Sequence, residues 1–479
     1  MTEPNPRSTA PALTLKEAGL LALGAVAAFQ LACTFGAFSF LIVIFLYCLF
    51  QLAWLQTTRL AFYLGLAIGL LAYAPQSLFL WKIFGAAAVP LWLVLAFWLA
   101  LFLALARLCL ARLGQVPALI LIPFLWTGLE YFRSELYYLR FSWLNAGYAF
   151  SNNLQWMPFK QFGVYGFGFC FMAIISLTTL LQKRRRIAIQ ALFLATLAVL
   201  SNLPAAKTPL EPGILVAGVQ LEFPSETQIL SNLDRLVQTN PDAQLLVLSE
   251  YSVDGPMPEK IKAWCRKNQR YLIIGGKDPA PDSQYYDTAF IIGPTGDILF
   301  RQAKSVPIQF FKDGLPAREQ KLWESPWGKI GICICYDLSY TRVTDQLIRL
   351  GAQAIIVPSM DATDWGLQQH ELHARVAPIR AAEYGVPVFR LASSGISQYV
   401  NSSGRVLATA PMPGDEAIIS GMLPLKNPGT LPWDRVIAPF SVLVTGLTIG
   451  WLAIVSLKQK SNNKRMSKIH ITTDLPKTS

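Results

Sequence analysis

Charged side chains are scarce in this 479-residue sequence. Asp, Glu, Lys and Arg make up 15% of it, against roughly 25% in an average soluble protein. The chain is nonetheless not disordered or fibrous, because 53% of it is hydrophobic and it holds 28 Phe, 16 Tyr and 13 Trp. A purely soluble enzyme fits that balance poorly. Cysteine is scarce as well: seven in so long a chain cannot build a disulfide scaffold, and the odd three within 206–430 cannot all pair. Three histidines leave little for a histidine-built metal site. Internal repeats and low-complexity tracts are absent, which excludes repeat architectures.

What is there is long apolar sequence. A bilayer core needs about 20 apolar residues per helix, and residues 18–205 are almost continuously apolar, with one further run at 436–457. The stretch 17–55 is too long for one span and reads as two, meeting near 35–38. Further spans fit 60–77, 85–106, 115–131, 160–181 and 187–204, and 436–457 makes the eighth. Arg59, the pair Arg107 and Arg112, the run Lys183, Arg184, Arg185 and Arg186, and a tail with Lys458, Lys460, Lys464, Arg465 and Lys468 follow alternate spans. The positive-inside rule sets all of them, with the N-terminus, in the cytoplasm. The stretch 206–430 then falls on the opposite face. Oriented loops explain the net charge of +12 better than nucleic acid does. The first twelve residues carry Arg7 and no apolar core, so the first span is expected to act as an uncleaved anchor. The expected domains are 1–205 in the membrane with about seven helices, 206–430 outside it, and 431–479 with the last span and a basic tail.

The extramembrane part reads as α/β. Candidate strands are 214–220, 244–249, 271–275, 288–293, 329–335, 354–358 and 387–392, with a strand-like 297–300. Helical patterns fall at 227–239, 256–268, 341–350 and 368–384. Three places share one arrangement, a polar residue just after an apolar strand: Glu250, Lys304 and Cys335. Ligands collect at such strand ends in α/β sheets. A thiol, with an ordinary pKa of about 8.5, needs a neighbouring base or cation to become a useful nucleophile. Glu250 can accept its proton, and Lys304 can stabilise the oxyanion of a tetrahedral intermediate.

The order Glu250, Lys304, Cys335-Tyr336-Asp337 resembles the nitrilase, or carbon–nitrogen hydrolase, superfamily. With seven spans before it and one after, the whole resembles the apolipoprotein N-acyltransferase family within that superfamily. Trp126-Thr-Gly-Leu-Glu130-Tyr-Phe-Arg133, Phe141-Ser-Trp143-Leu144-Asn-Ala-Gly147-Tyr148 and Gly163-Val-Tyr-Gly166 are similar to that family's membrane signature. Ala381-Ala-Glu383-Tyr-Gly-Val-Pro387-Val-Phe-Arg390 and Ser393-Ser-Gly395 continue the likeness. The resemblance implies a multi-span helical membrane domain plus an αββα nitrilase-like sandwich on the periplasmic face of a bacterial inner membrane. It implies a ping-pong acyl transfer: Cys335 takes an acyl chain from a phospholipid as a thioester, then yields it to the N-terminal amine of a diacylglyceryl-cysteine apolipoprotein. The chemistry asks for no metal or organic cofactor, and the partners are lipid, lipoprotein and membrane rather than nucleic acid.

Carried onto this sequence, the resemblance gives Glu250, Lys304 and Cys335 as catalytic and Tyr336 and Asp337 as supporting the oxyanion. Trp143, Tyr148, Glu130, Arg133, Trp365, His370 and Glu383 become candidate substrate contacts. Two positions stay open. Lys304 stands two residues closer to Val306-Pro307 than the family's lysine does, so Gln302 falls at that place in an ungapped comparison, with Lys312 as a further alternative. The second family glutamate falls near Phe310, where Gln309 or Asp313 has to substitute. Cys333 suits a buried strand thiol. His370-Glu-Leu-His373 is not the metal motif His-Glu-x-x-His, and a structural or substrate-channel role suits it better. Glu130 and Arg133 also suit an interfacial anchor, and Trp126, Trp143 and Trp156 an aromatic belt. Two rival readings are a membrane-tethered amidase acting on a small amide and a lipid-binding or transport protein that has lost catalysis. An apolar portal between spans and sandwich favours the acyltransferase; a closed polar pocket favours the hydrolase.

Overall fold

Alternation along the strands decides how the extramembrane part layers. The computed structural model describes residues 13–152, 154–204 and 212–473, with side chains of the last helix to 459. Arg7 and the boundary at 205–206 lie outside them, as do the side chains of Lys460, Lys464, Arg465 and Lys468. Twelve strands occur among the described residues: β1 Ile214–Val219, β2 Leu245–Val247, β3 Tyr271–Pro279, β4 Tyr285–Ile292, β5 Ile298–Ala303, β6 Leu322–Ser325, β7 Gly328–Ile332, β8 Ala354–Ser359, β9 Val388–Ala392, β10 Ser397–Val400, β11 Val406–Ala410 and β12 Ile418–Leu423. They form two six-stranded sheets, β12-β1-β2-β3-β4-β5 and β11-β10-β9-β8-β7-β6.

In the first sheet Val216, Leu245, Val247, Ile273 and Ile291 share a core with Ile330, Ile332, Ile355 and Phe389 of the second. Their neighbours Ala217, Val219, Leu246, Leu272 and Ile274 point the other way, onto the helices Glu226–Thr239 and Glu259–Asn268. Side chains of period two thus supply both faces of a sheet buried on both sides, and the result is an αββα sandwich. Strands β1, β2 and β3 run parallel, as do β7, β8 and β9, so their C-terminal ends gather at one edge.

The expected helix at 368–384 is two, Leu367–Ala374 and Val376–Tyr384. Pro378 has no N–H to offer the Ala374 carbonyl and its ring crowds it, which breaks the helix between. Strands β6, β10, β11 and β12 were not anticipated; they are short, and β12 completes the first sheet by antiparallel pairing with β1.

Among the described residues, six helices are long and apolar enough to cross a membrane: Leu15–Thr34, Thr58–Gln76, Phe79–Leu113, Gln115–Leu136, Phe159–Leu180 and Asp434–Gln459. The other two of the eight expected spans are also helical. Gly36–Leu52 is a shorter apolar helix, and Lys183–Asn202 opens on four basic residues. Arg107 donates to the carbonyls of Leu55 and Gln56, and Arg112 to Gln459, which collects basic helix ends at one pole. The sandwich meets the other pole, where Gln368 bonds Phe79 N–H and the Pro75 carbonyl and Arg375 bonds the Cys33 carbonyl.

The helix Phe159–Leu177 is seated by both parts of the chain. Gly163 has φ +68°, and a Cβ there would run into the Asp434 carboxylate. The amides that follow are capped from elsewhere, Val164 N–H by Glu383 at 2.6 Å and Tyr165 N–H by Asp434 at 3.0 Å. Those are orphan donors of a helix start, satisfied here by two carboxylates. Arg380 and Arg435 in turn pair with Glu383.

Candidate active site

The thiol, ammonium and carboxylate expected at strand ends meet at the edge where the parallel strands finish. Glu250 follows β2, and its backbone crosses β3 at Gly275, where a Cβ would strike it. Lys304 follows β5, its N–H held by the Asp287 carbonyl at 2.8 Å. Cys335 follows β7 with φ +51°, a left-handed backbone that costs about 1–3 kcal/mol in a non-glycine residue and persists where surroundings enforce it.

Lys304 Nζ is buried among three carboxylates, 2.7 Å from Glu250, 2.8 Å from Asp313 and 3.5 Å from Asp287. Burial alone pulls its pKa down, but Glu250 and Asp313 override this and hold it well above its ordinary range, so it stays an ammonium. Burial, then the charge of Glu250, pushes the Asp287 carboxyl well above its usual range. Gln302 is turned away, bonded to Ala303, Glu319 and Lys321, and Lys312 is exposed. Asp313 rather than Gln309 stands beside the ammonium; Gln309 bonds the Tyr138 carbonyl at 3.2 Å.

Cys335 Sγ lies 3.5 Å from the Met360 carbonyl, and the Met360 N–H is donated to Glu250. Burial, then Glu250, raises the thiol well above its usual range, with Lys304 opposing. The resting group is therefore a thiol that sheds its proton only as it attacks. Asp337 bonds backbone amides on either side of the site. Its carboxylate accepts Ser305 N–H at 3.0 Å and Val306 N–H at 2.7 Å, fixing the segment after Lys304 beside the turn that carries Cys335. The Tyr336 hydroxyl bonds the Arg140 carbonyl at 3.0 Å.

Cys335 opens onto a cleft between sandwich and spans. Its walls are apolar, built from Phe79, Ile83, Phe84 and Leu95 of the membrane part and Ile308 and Phe311 of the sandwich. Phe310 lies at the mouth, 65% exposed, with its ring 5.9 Å from that of Phe84.

Of the candidate contacts, Trp143 and Trp365 line this cleft. Trp143 donates to Ser339 at 2.9 Å and stacks on His373, ring centres 5.0 Å apart. His373, not His370, forms the wall; His370 sits deeper, Nδ1 4.0 Å from Asp361, because the helix turns it inward one turn earlier. Glu130, Arg133, Tyr148 and Glu383 are buried away from the cleft. Glu130 accepts Ala146 N–H at 2.9 Å and Arg133 donates to Asn145, so they tie residues 145–146 to their helix. Glu383 caps Val164, as described.

Sequence reasoning passed over Asp287 and Asp361. Asp361 follows β8 by two residues and shows the same signal that marked Glu250, a carboxylate after an apolar strand. It pairs with Arg390 and with His373. Asp287 lies within β4 and carries no such mark. Two clusters hold donor types that metals use, Glu250 with Asp287 and Asp313, and Cys335 with Asp361 and His373. Each already faces a protein cation, Lys304 in the first and Arg390 in the second.

Residues 219–427 match the carbon–nitrogen hydrolase family, and residues 19–177 match the apolipoprotein N-acyltransferase N-terminal domain. Apolipoprotein N-acyltransferases of Geobacter metallireducens and Shewanella oneidensis are each 24% identical to this chain. The alignments span 424 and 416 residues, covering 76% and 75% of this chain and 81% and 79% of theirs. A deaminated glutathione amidase of Dictyostelium discoideum is 27% identical over 33% of this chain and 62% of its own. Among solved structures, Nit3 of Saccharomyces cerevisiae, a nitrilase-superfamily member, is 24% identical with a TM-score of 0.38, covering 49% of this chain and 96% of its own.

Proposed function

We propose that this chain, which belongs to the apolipoprotein N-acyltransferase family of the carbon–nitrogen hydrolase superfamily, carries the acyl group on Cys335 and uses Glu250 and Lys304 to form and break the thioester. It is a multi-pass membrane acyltransferase of lipoprotein maturation. The observation that carries the assignment of Cys335 is its position: a thiol beside a buried ammonium, at the floor of an apolar cleft open between spans and sandwich. A polar pocket sized for a small amide would have supported the amidase reading.

In the first half-reaction Glu250 takes the thiol proton as sulfur bonds to the ester carbonyl carbon of a phospholipid. Lys304 faces the oxyanion, aided by a backbone N–H at Tyr336, and its charge is fixed in place before the reaction begins. The ester C–O bond breaks, and the lysophospholipid oxygen leaves with the proton from Glu250. In the second, the N-terminal amine of a diacylglyceryl-cysteine apolipoprotein attacks the thioester carbon, Glu250 takes the amine proton, the C–S bond breaks, and the proton passes to the departing sulfur to restore the thiol. Both partners are lipid-anchored, and the apolar walls orient their chains. The same reading puts 1–205 and 431–479 in a bacterial inner membrane with 206–430 on its periplasmic face. The gathering of Arg107 and Arg112 at the pole away from the sandwich supports that orientation.

The test is the intact mass of the purified protein after incubation with a diacyl phospholipid. A gain of one acyl chain, removed by neutral hydroxylamine and missing in Cys335→Ala, is the expected result. No adduct with any phospholipid overturns the reading.

A further inference from the structure

We propose that Arg140, with Arg342 and Arg318 beside it, holds the phosphodiester of the donor phospholipid while the acyl chain lies in the apolar cleft. The proposal rests on the thioester reading above and adds to it the group that selects the donor.

Arg140 lies just past the span Gln115–Leu136, at the pole where the sandwich sits. Its carbonyl accepts the Tyr336 hydroxyl at 3.0 Å, which ties this segment to the residue after Cys335. The side chain walls two cavities at once. One is the apolar cleft onto which Cys335 opens. The other is a polar pocket next to it, lined also by Ser305, Arg318, Gln320 and Arg342. A glycerophospholipid has the same two halves. Its phosphorus stands about six bonds and 7 Å from the carbonyl carbon of the outer ester when extended. An ester placed at the sulfur therefore brings the phosphate to the boundary that Arg140 forms.

The polar pocket is cationic and uncompensated. Among the described residues Arg140, Arg318 and Arg342 make no ion pair, and the carboxylate on the wall, Glu319, is taken by Lys321 at 2.7 Å. Arg140 Nε is buried and has no hydrogen-bond partner among the described residues, a state that costs stability unless an acceptor uses it. The Tyr340 ring supports the guanidinium, its centre 5.4 Å from Cζ, and such a contact steadies the cation without using its N–H donors. Burial, then the charge of Arg140, pulls the Arg342 pKa below the usual arginine value, although the group stays charged. Guanidinium groups that repel one another rest together once an anion lies between them. A phosphodiester brings one negative charge and two free oxygens that match the arginine fork. The apolar cleft alongside makes that anion one that carries acyl chains.

The experiment is single-turnover acylation in maltoside micelles, which bring no phosphate of their own, followed by intact mass. Two donors with the same chains are compared: a diacyl phospholipid, and diacylglycerol, which keeps the ester and lacks the phosphate. Wild type is expected to prefer the phospholipid. Arg140→Gln should lose about 10- to 100-fold with the phospholipid, the scale of hydrogen bonds to charged groups, and change little with diacylglycerol. The loss should lie in the donor concentration needed for half-maximal rate rather than in the limiting rate. Arg140→Lys keeps the charge without the fork and should recover part of it. Arg342→Gln, at an exposed position, should cost about two- to fivefold with the phospholipid alone, the scale of an exposed ion pair. A fall in the limiting rate instead, or equal slowing with both donors, makes Arg140 structural; an unchanged phospholipid rate removes it from the donor site. Either overturns the proposal and leaves the thioester reading standing. Inorganic phosphate that lifts the wild-type diacylglycerol rate to that of the phospholipid assigns the pocket to a soluble anion and overturns the proposal as well. A wild type that takes an acyl chain from neither donor overturns the thioester reading, and this proposal with it.

Discussion

Asp313 Oδ2 stands 2.8 Å from Lys304 Nζ and accepts the Ile308 N–H at 2.6 Å. One carboxylate thus holds both the ammonium beside the thiol and the loop that brings Phe310 and Phe311 to the cleft. Asp313→Asn is expected to leave folding intact, since Glu250 and Asp287 remain around Lys304, and to slow acylation about 10- to 100-fold, the scale of a weakened charge-assisted contact. Single-turnover mass spectrometry measures this. An unchanged rate means the loop needs no such anchor.

The two neighbouring cysteines separate chemistry from packing. Cys333 is wholly buried, and burial raises its thiol far above the usual range. Cys333→Ala should keep the acyl adduct and lower stability by about 1 kcal/mol, as small core truncations do. Cys335→Ala should abolish the adduct without comparable loss of stability. Equal loss in both variants points to the wrong thiol.

Asp337 gives a pH dependence with two opposed parts. Burial pushes its carboxyl up to about 6 although the Ser305 N–H, the Lys304 charge and two further backbone N–H groups pull it down. A carboxyl whose folded pKa exceeds its unfolded value, near 3.9, binds its proton more tightly in the folded state. Its stabilising effect is full below the unfolded value and is lost as pH rises through about 6. The difference in stability between wild type and Asp337→Asn should therefore shift against wild type by about 2 kcal/mol from pH 4 to 7. Activity should move the other way, because the ionised group accepts the Ser305 and Val306 amides. Thermal melts and acylation rates across that range measure both, and a flat melting difference removes Asp337 as the cause.

Phe310 has φ +72°, a conformation that costs a side-chain-bearing residue roughly 1–2 kcal/mol. Phe310→Gly should raise stability by about 1 kcal/mol and slow acylation from vesicles three- to tenfold through loss of the contact with Phe84. A short-chain soluble ester should react as before. Equal slowing with both donors places Phe310 in the chemistry rather than at the entrance.

What was legible follows from where the signal lies along the chain. The long apolar runs and the strand-end positions of Glu250 and Cys335 are local features, readable at one place. Strands β6, β10 and β11 carry Ser, Thr or Gln among few apolar residues and pair with their chain neighbours, whereas β12 gains its place from β1, far away in sequence. Lys304 sat at an unusual spacing; its placement became plain only once Asp313, nine residues on, folded back against it. Glu130, Arg133 and Glu383 looked like substrate contacts because charges near membranes are costly and often functional. Here Glu130 and Glu383 accept backbone amides and Arg133 donates to Asn145, contacts that no spacing reveals.

The borrowed caps of the helix Phe159–Leu177 have a kinetic consequence. Glu383 comes from the sandwich and Asp434 from the last helix, and pulling either away strands backbone donors and buried arginines together, a loss of several kcal/mol. The sandwich is therefore not a reel paying out on a tether. Its thiol is fixed at one height above the bilayer, and each donor must reach it by lateral diffusion. Turnover should follow the mole fraction of donor lipid in the surface, and diluting the vesicles in bulk at constant composition should leave it unchanged.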